Sequence, residues 1–359
     1  MQDREYTAQA RIALRNPEPV IAEFCEHMLE HNAEVSEGPA GPVLRLGHIR
    51  AAFSSDGVET LVEVAAPDLE GLYLARMSVA SHILEFAGDD PPVIEWTGDG
   101  GEIARPPNFQ ILDVVDCRVL TPHMRRLTLW GENVARFAGL EALHLNLMVQ
   151  HPEIGEPQWP HVGANGVIAW DRPDLRPLMR KYTVRSVDLA AGTIDIDFVL
   201  HADAGPGSGF AQTTAVGDRV GVVGPGGGGL VEADWYLFAG DETALPAIAR
   251  MLEHLPAGAR GKVLLEVADA AEVQPLATAA SVEIEWLLRD GEPAGGTTLL
   301  IDAIRKTDFP EGDERRYLWA GCEFEAFRAV RSFARQEKRL ANTEHLVVSY
   351  WRRGAAEAE

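Results

Sequence analysis

The sequence predicts a multidomain protein: a small α+β domain, then an antiparallel β-barrel, then an α/β domain on a parallel sheet. Three observations predict it. Between residues 109 and 225, short alternating apolar runs are separated by turn signals, as in a closed antiparallel barrel. From Trp235 onward, short buried runs alternate with helical patterns, which implies βαβ units and a parallel sheet. The first hundred residues carry two helical and three strand patterns, and end in a glycine- and proline-rich break at Gly98–Gly101 and Arg105–Pro107. The expected domains are 1–104, 105–230 and 231–359.

In the first domain, Val20, Ile21, Phe24, Met28 and Leu29 share one face of a helix over Pro19–His31. Strands follow at Val43–Leu46, His48–Phe53 and Thr60–Ala65. Asp68 then precedes a second helix over Leu69–Phe86. His27, His31 and His82 lie on these helices without a cysteine or carboxylate ligand set, so no metal site is expected. In the barrel, strands are expected at Phe109–Val119, Arg125–Trp130, Leu143–Val149, from Leu178, at Thr193–Leu200 and at Gly217–Pro225. The connection His151–Leu178 is long for a compact domain, as functional loops are. Its tail is basic, with Arg172, Arg176, Arg180 and Lys181 against Asp174. In the last domain, strands are expected at Trp235–Ala239, Lys262–Ala268, Val282–Leu288, Tyr317–Ala320 and His345–Tyr350. One helix runs to Leu255 and another over Phe324–Leu340.

Composition narrows the function. With 359 residues and 46% apolar side chains, the chain is long and apolar enough for several cores. Its 55 acids against 32 bases leave −23, which excludes nucleic acid or an anionic membrane as a general partner. No run approaches the roughly 18 apolar residues of a spanning helix, and the opening Met1-Gln-Asp-Arg-Glu does not lead into a signal-type apolar run. Cys25, Cys117 and Cys322 are too far apart for a metal motif or a disulfide framework. These features lead us to expect a cytoplasmic protein.

The chemistry concentrates between Leu178 and Ala211. Arg180-x-Tyr182-Thr183-x-Arg185 opens it, and Gly205-Pro-Gly207-Ser208-Gly-Phe210-Ala211 closes it. Arginine pairs with phosphate oxygens, and tyrosine lies against a flat ring. A glycine loop entering a helix offers N–H groups to a phosphate. A cofactor with a diphosphate and a planar ring, such as FAD, satisfies all of these groups.

This stretch resembles the flavin site of the siderophore-interacting proteins, a branch of the ferredoxin-reductase-like flavoenzymes. Their pattern is Arg-x-Tyr-Thr-x-Arg, a His-Gly strand end, then Gly-Pro-Ala-Ser with Trp-Ala. The matches are Arg180, Tyr182, Thr183, Arg185, His201, Gly205, Pro206, Ser208 and Ala211, and the departures are Ala202, Gly207 and Phe210. The phrase LTPHMRRLTLWG resembles the family's opening hairpin, and Gly240-Asp241-Glu242-Thr243-Ala-Leu-Pro246 its nucleotide-binding turn. Trp319-Ala-Gly-Cys-Glu and Ser349-Tyr350-Trp351-Arg352-Arg353-Gly354 resemble its closing motifs. The turn lacks the three spaced glycines of the usual dinucleotide fingerprint, and Asp241 and Glu242 would repel a phosphate set directly on them. The first domain resembles one of uncharacterised function found ahead of such proteins.

The resemblance implies an NAD(P)H-dependent, FAD-containing ferric-siderophore reductase that releases iron as Fe(II), with no catalytic residue beyond the flavin and no metal site of its own. Alternatives are a flavoenzyme of the same fold acting on quinone, free flavin or a redox protein, and a non-catalytic ferric-chelate carrier. The cofactor residues it implies are Arg180, Tyr182, Thr183, Arg185, His201, Gly205, Gly207, Ser208 and Phe210 for FAD, with Gly240, Asp241, Glu242, Thr243, Pro246, Tyr350 and Trp351 on the nicotinamide side. Arg172, Arg176, Lys181, Arg352 and Arg353 are the expected counterweight to an anionic ferric siderophore. The choice of siderophore, NADH against NADPH, the role of residues 1–104 and the oligomeric state stay open.

Overall fold

The computed structural model describes residues 4–30, 33–88, 90–201, 205–310, 312 and 314–355. The chain divides into two compact units: residues 1–109 with 150–177, and residues 110–149 with 178–359.

The first unit begins with β1 (Tyr6–Ile12), α1 (Pro17–Glu30), β2 (Glu34–Gly38), β3 (Gly41–Leu46), β4 (Ile49–Ser55), β5 (Thr60–Ala66), α2 (Leu69–Phe86) and β6 (Trp96–Gly98). Its strands form one sheet in the order β2-β3-β4-β5-β1-β6. The Asp68 carboxylate accepts from Gly71 N at 2.7 Å and so caps α2. The strands β1, β2 and β6 were missed. β1 buries only Ala8, Ala10 and Ile12 on one face, so its alternation is between small apolar and polar residues and carries a weak signal. His27 and His82, both half-buried, lie against each other with rings tilted and centroids 4.9 Å apart. His31 lies outside the described residues.

The barrel strands are β7 (Phe109–Thr121), β8 (Met124–Trp130) and β9 (His144–Val149). A short hairpin, β10 (His161–Val162) and β11 (Ile168–Ala169), lies in the connection and belongs to the first unit. The barrel resumes with β12 (Leu178–Asp188), β13 (Thr193–Val199), α3 (Pro206–Thr213) and β14 (Arg219–Gly226). It closes in the order β12-β13-β8-β7-β14-β9, around Leu112, Leu127, Leu129, Leu145, Leu147, Ile194, Ile196 and Phe198.

The remainder runs β15 (Trp235–Asp241), α4 (Leu245–Glu253), β16 (Arg260–Val267), β17 (Ser281–Leu288), α5 (Leu299–Lys306), β18 (Arg316–Glu323), α6 (Phe324–Ser332) and β19 (His345–Trp351). The sheet order is β17-β16-β15-β18-β19, every pair parallel. The fold is therefore the expected one, a six-stranded antiparallel barrel and a parallel-sheet domain behind a small α+β domain. The order reverses between β15 and β18, and ligands of open α/β sheets bind at the carboxyl ends beside such a reversal. The helix α5 was not anticipated. The expected helix over Phe324–Leu340 is α6 followed by a wider π turn at Phe333–Glu337.

The barrel and the parallel sheet share a core, in which Met124 and Leu143 pack with Tyr236, Phe238, Ile248, Met251 and Trp319. One side chain staples them. Arg250 of α4 is 2% exposed and donates to three barrel carbonyls: Val184 O at 2.8 Å, Phe137 O at 2.6 Å and Gly139 O at 3.0 Å. Arg250→Met keeps the stem and strips these acceptors of their donors. Each unsatisfied buried group costs roughly 1–3 kcal/mol, so chemical denaturation should show a loss of about 2–5 kcal/mol. A loss under about 0.5 kcal/mol would mean that apolar packing alone holds the seam.

Candidate functional site

The site is built on β12 and α3. Register sets Arg180 opposite Leu147, Tyr182 opposite Leu145 and Thr183 opposite His144. Tyr182 packs on Phe198 with centroids 4.2 Å apart, and Phe198 meets Phe210 at 6.1 Å. Burial pushes the Tyr182 phenol up to about 12, so it stays protonated at neutral pH. His201 lies two residues past β13, where its backbone N donates to Ser208 Oγ at 3.1 Å and its carbonyl accepts from Gln212. That bond pins the first turn of α3 to the barrel. Burial holds the His201 imidazole below its usual value. Residues 202–204 lie outside the described residues.

The two ends of α3 differ. Gly205 is its N-cap, Pro206 opens it, and among the described residues no side chain caps its first turn. At the other end Arg125 donates to the carbonyls of Ala211, Gln212 and Thr214. A Cβ built on Gly205 or Gly209 would meet nothing within 4 Å, so this face is open. An uncapped helix start with Arg180 and a flat phenol nearby in sequence is a donor set suited to a diphosphate and a ring. Arg185 sits elsewhere: at the bulge in β12 its guanidinium forms a two-pronged pair with Glu253 of α4, at 2.5 and 3.0 Å.

At the carboxyl end of β15, the turn Gly240–Pro246 faces the carboxyl end of β18. A Cβ on Gly240 would lie 2.5 Å from Ala244 Cβ and 2.7 Å from Gly321 O, so only glycine fits between helix and neighbouring strand. Asp241 and Glu242, expected to repel phosphate, are both committed inward. Asp241 accepts from Thr243 N at 3.0 Å and the Thr243 hydroxyl, from Glu323 N at 3.1 Å and from Trp351 Nε1 at 2.8 Å. One buried carboxyl thus ties the ends of β15, β18 and β19. Burial, with Glu242's charge second, pushes it up to about 6. Glu242 forms a two-pronged pair with Arg289 at 2.7 and 2.8 Å, and Arg289 also faces Glu266 at 3.6 Å.

Flavin strand and sheet edge meet at Tyr350. Its ring stands edge-on to His144, the residue paired with Thr183 on the flavin strand, and to Trp319, at 6.4 and 6.1 Å. Burial drives that phenol far above its usual value.

Comparison with known proteins agrees with this geometry. Residues 113–229 match the siderophore-interacting FAD-binding domain and residues 233–354 the siderophore-interacting protein family. The ferric vibriobactin reductase ViuB of Vibrio cholerae is 34% identical over 251 residues, which cover 69% of this chain and 91% of that one. The chain belongs to the siderophore-interacting protein family. Residues 9–97 match a family described only as an uncharacterized protein conserved in bacteria. A siderophore utilization protein from T. fusca superposes with a TM-score of 0.62 at 38% identity, over 70% of this chain and 95% of that one. The siderophore-interacting protein SipS from Aeromonas hydrophila gives 0.59 at 32% identity, over 70% and 94%.

One departure from the family pattern now has a physical reason. Gly207 stands where the pattern has alanine, and an added Cβ there would drive into the Tyr182 hydroxyl. Gly207 and the depth of Tyr182 are therefore a matched pair. Glu323, within the Gly-Cys-Glu departure, accepts from Glu325 N at 2.5 Å and from Arg353 N at 3.1 Å. Sequence reasoning missed Arg125, His144, Arg250, Arg289 and Glu323 as parts of the site's frame. Arg125, inside LTPHMRRLTLWG, and Glu323 lay within motifs the resemblance had flagged.

The five basic residues expected to meet substrate fall in both units. Arg172 and Arg176 belong to the first, where Arg172 pairs with Asp174 at 2.9 Å and Arg176 is exposed. In the second, Lys181 is exposed and, after burial, helps hold His144 below its usual value. Arg352 lies over the Phe324 ring at 4.7 Å. Among the described residues no group of three or more His, Cys, Asp or Glu is poised for a metal. No helix among them is long and apolar enough to cross a membrane.

Gly207→Ala should reduce FAD content on purification and shift the flavin absorption band, and Tyr182→Phe in the same chain should restore part of the content. A single variant with wild-type flavin content would separate Tyr182 from the cofactor. Asp241 yields a second expectation. Its folded value lies above its ordinary 3.8, so its contribution to stability is complete below that value and is lost as pH rises through about 6. The displacement corresponds to at most about 3 kcal/mol. Asp241→Asn should flatten the dependence of the unfolding midpoint between pH 4 and 7, whatever its absolute level. An unchanged slope would locate the titration elsewhere.

Proposed function

We propose that the protein is an FAD-dependent NAD(P)H oxidoreductase that reduces iron(III) held by a siderophore. The observation that carries this is the edge-on contact of Tyr350 with His144, the residue paired with Thr183 of the flavin strand, which brings the barrel's flavin strands against the carboxyl edge of the parallel sheet beside its reversal point. Cofactor and coenzyme then meet where two halves of one rigid seam touch. ViuB and the ferric acinetobactin reductase of Acinetobacter baumannii, 27% identical over 54% of this chain and 67% of that one, are described as reductases of ferric siderophores. The same reading puts the protein in the cytoplasm, where NAD(P)H is supplied.

FAD, when bound, couples a two-electron hydride donor to a one-electron metal acceptor. The rest falls to the chain. Arg180 and the open N-terminus of α3 offset the diphosphate charge, and Tyr182 backs the ring. His201 and His144, held below their usual value, add no positive charge beside the site at neutral pH. Tyr350 sets the sheet edge against His144 of the barrel, while Asp241 holds the three strand ends that receive the nicotinamide nucleotide. The siderophore already fills the metal's coordination shell, so the protein supplies a docking surface rather than ligands. Iron(II) suits hard oxygen chelators less well and leaves more readily.

The test is anaerobic NAD(P)H oxidation with and without the ferric complex of a catecholate siderophore, with iron(II) trapped by a chromogenic chelator. Stoichiometric iron(II) is expected. NAD(P)H oxidation that a quinone stimulates and the ferric complex does not would assign a different acceptor, and no oxidation at all would leave a carrier. Arg180→Ala should weaken FAD retention about ten- to a hundredfold, as loss of a charge-assisted contact does.

A further inference from the structure

The carboxyl ends of β15, β16 and β17 form one half of the parallel sheet's binding edge, on the side away from β18. Register sets Asp241 beside Glu266, and Glu266 beside Leu287. Past the strands, Arg289 N donates to Val267 O and Asp290 N to Ala268 O, both at 3.0 Å, so the two exit loops run side by side. The segments that leave these strands, 241–244, 267–272 and 289–298, contain one cation, Arg289, against six acids. Of the acids, Asp269 and Asp290 are exposed.

That one cation is already engaged. Arg289 is 6% exposed. Its two terminal nitrogens donate to the two oxygens of Glu242 at 2.8 and 2.7 Å, and Nη1 also faces Glu266 Oε1 at 3.6 Å. Its Nε is buried and meets no acceptor among the described residues, so the guanidinium turns no free edge outward. Glu266 is fixed in turn by the Thr297 hydroxyl, which donates to its Oε2 at 3.0 Å. Two histidines lie on the barrel side. Burial holds the His201 imidazole below its usual value, with Glu242 opposing and His123 and Arg289 adding to that, so it is neutral at neutral pH. The His123 ring lies 2.8 Å from a Glu272 oxygen. Neither histidine supplies a free positive charge.

In an open parallel sheet the diphosphate of a dinucleotide crosses the first strand-to-helix turn. The adenosine ribose then lies at the ends of the strands beyond it, where an acid suits a 2′-hydroxyl and a free arginine a 2′-phosphate. NADH and NADPH differ only by that phosphate, a monoester carrying roughly −1.5 to −2 charges at pH 7. We propose that the protein takes NADH in preference to NADPH: the Glu242 pair occupies the one guanidinium at these strand ends that could receive a 2′-phosphate, and the exposed Asp269 and Asp290 repel it. This rests on the nicotinamide-nucleotide part of the reading above and names its donor. To bind the phosphate, Arg289 would have to leave Glu242, and a half-buried carboxylate would then face the incoming charge unpaired. Separating a desolvated pair in that way is strongly unfavourable. NADH needs no such exchange, because a 2′-hydroxyl is neutral and can donate to a carboxylate.

The experiment uses the full-length, FAD-loaded protein. Isothermal titration with NAD⁺ and NADP⁺ reads binding without turnover, and stopped-flow reduction of the flavin by NADH and NADPH reads the same difference in rate. NAD⁺ should bind about tenfold or more tighter than NADP⁺, the effect of denying a charged group its partner. Glu242→Gln keeps the shape, removes the carboxylate charge and leaves the Arg289 charge to a phosphate, so the gap should narrow about tenfold. Asp290→Asn makes the same point at an exposed position where folding is not at stake. Asparagine tolerates the φ of +46° found there, and loss of one exposed charge should narrow the gap about two- to threefold. NADP⁺ binding as tightly as NAD⁺, or more tightly, in the wild type would overturn the preference. A gap that neither variant changes would overturn the part given to Glu242 and its acidic neighbours. Should neither nucleotide bind or reduce the flavin, the nicotinamide reading fails and the preference with it. A protein that shows the gap but reduces no ferric chelate would keep the preference and lose the ferric acceptor, since no iron enters either measurement.

Discussion

The geometry depends first on Arg250. Its guanidinium lies out of water and takes three barrel carbonyls, one of them Val184 O, the residue after Thr183 on the flavin strand. The helix that carries it starts at the Gly240–Pro246 turn. One rigid helix therefore runs from the nucleotide turn to the backbone of the flavin strand. A buried cation is expensive unless its donors are paired, so the arrangement is nearly all-or-none: the carbonyls must be where they are. The Arg185–Glu253 pair reinforces it one turn further along α4 and, being partly solvated, contributes less.

A second constraint resolves what looked contradictory in the sequence. A nucleotide-binding turn reading Gly-Asp-Glu puts two acids where a diphosphate is expected. The fold removes both from the approaching anion's path. Asp241 turns under the sheet edge, where Glu323 N, Trp351 and Thr243 meet its oxygens, and Glu242 is neutralised by Arg289. The acids then act as struts. Burial first, and Glu242's charge second, also raise Asp241 above its ordinary value.

Strand and helix positions in the barrel and sheet were readable because their apolar periods are strong. The helix over Leu69–Phe86 was readable to the residue because Asp68 caps it. What escaped shares one cause: it depends on contacts distant in sequence. β1 is defined by pairing with β5, from Tyr6 opposite Ala66 to Ile12 opposite Thr60, far along the chain, and its small alanines give little hydrophobic contrast. The connection 150–177 reads as a loop of the barrel, since the bond from Trp96 Nε1 to Asn165 O that ties it to the first domain leaves no local pattern. The flavin motif was legible as residue types, Arg180 through Phe210, but not as geometry. Arg185 has the right spacing and a different engagement, and Gly207 appeared a neutral departure until Tyr182 was placed against it.

Directional bonds, besides area, tie the barrel to the parallel-sheet domain. Arg250 donates to Val184 O of the flavin strand, Tyr317 donates to Gly229 O at 3.2 Å, and buried Glu272 takes the Thr121 hydroxyl together with both the backbone N–H and ring nitrogen of His123. Apolar packing is tolerant of sliding, because one methylene contact replaces another at little change in energy. Hydrogen bonds to fixed backbone atoms are not, since a shift of a few tenths of an ångström leaves buried partners unmatched. A misplacement near 1 Å can cost about a hundredfold in a transfer step. A seam of charged and polar staples around a shared core therefore suits a protein that must keep two cofactor sites in register.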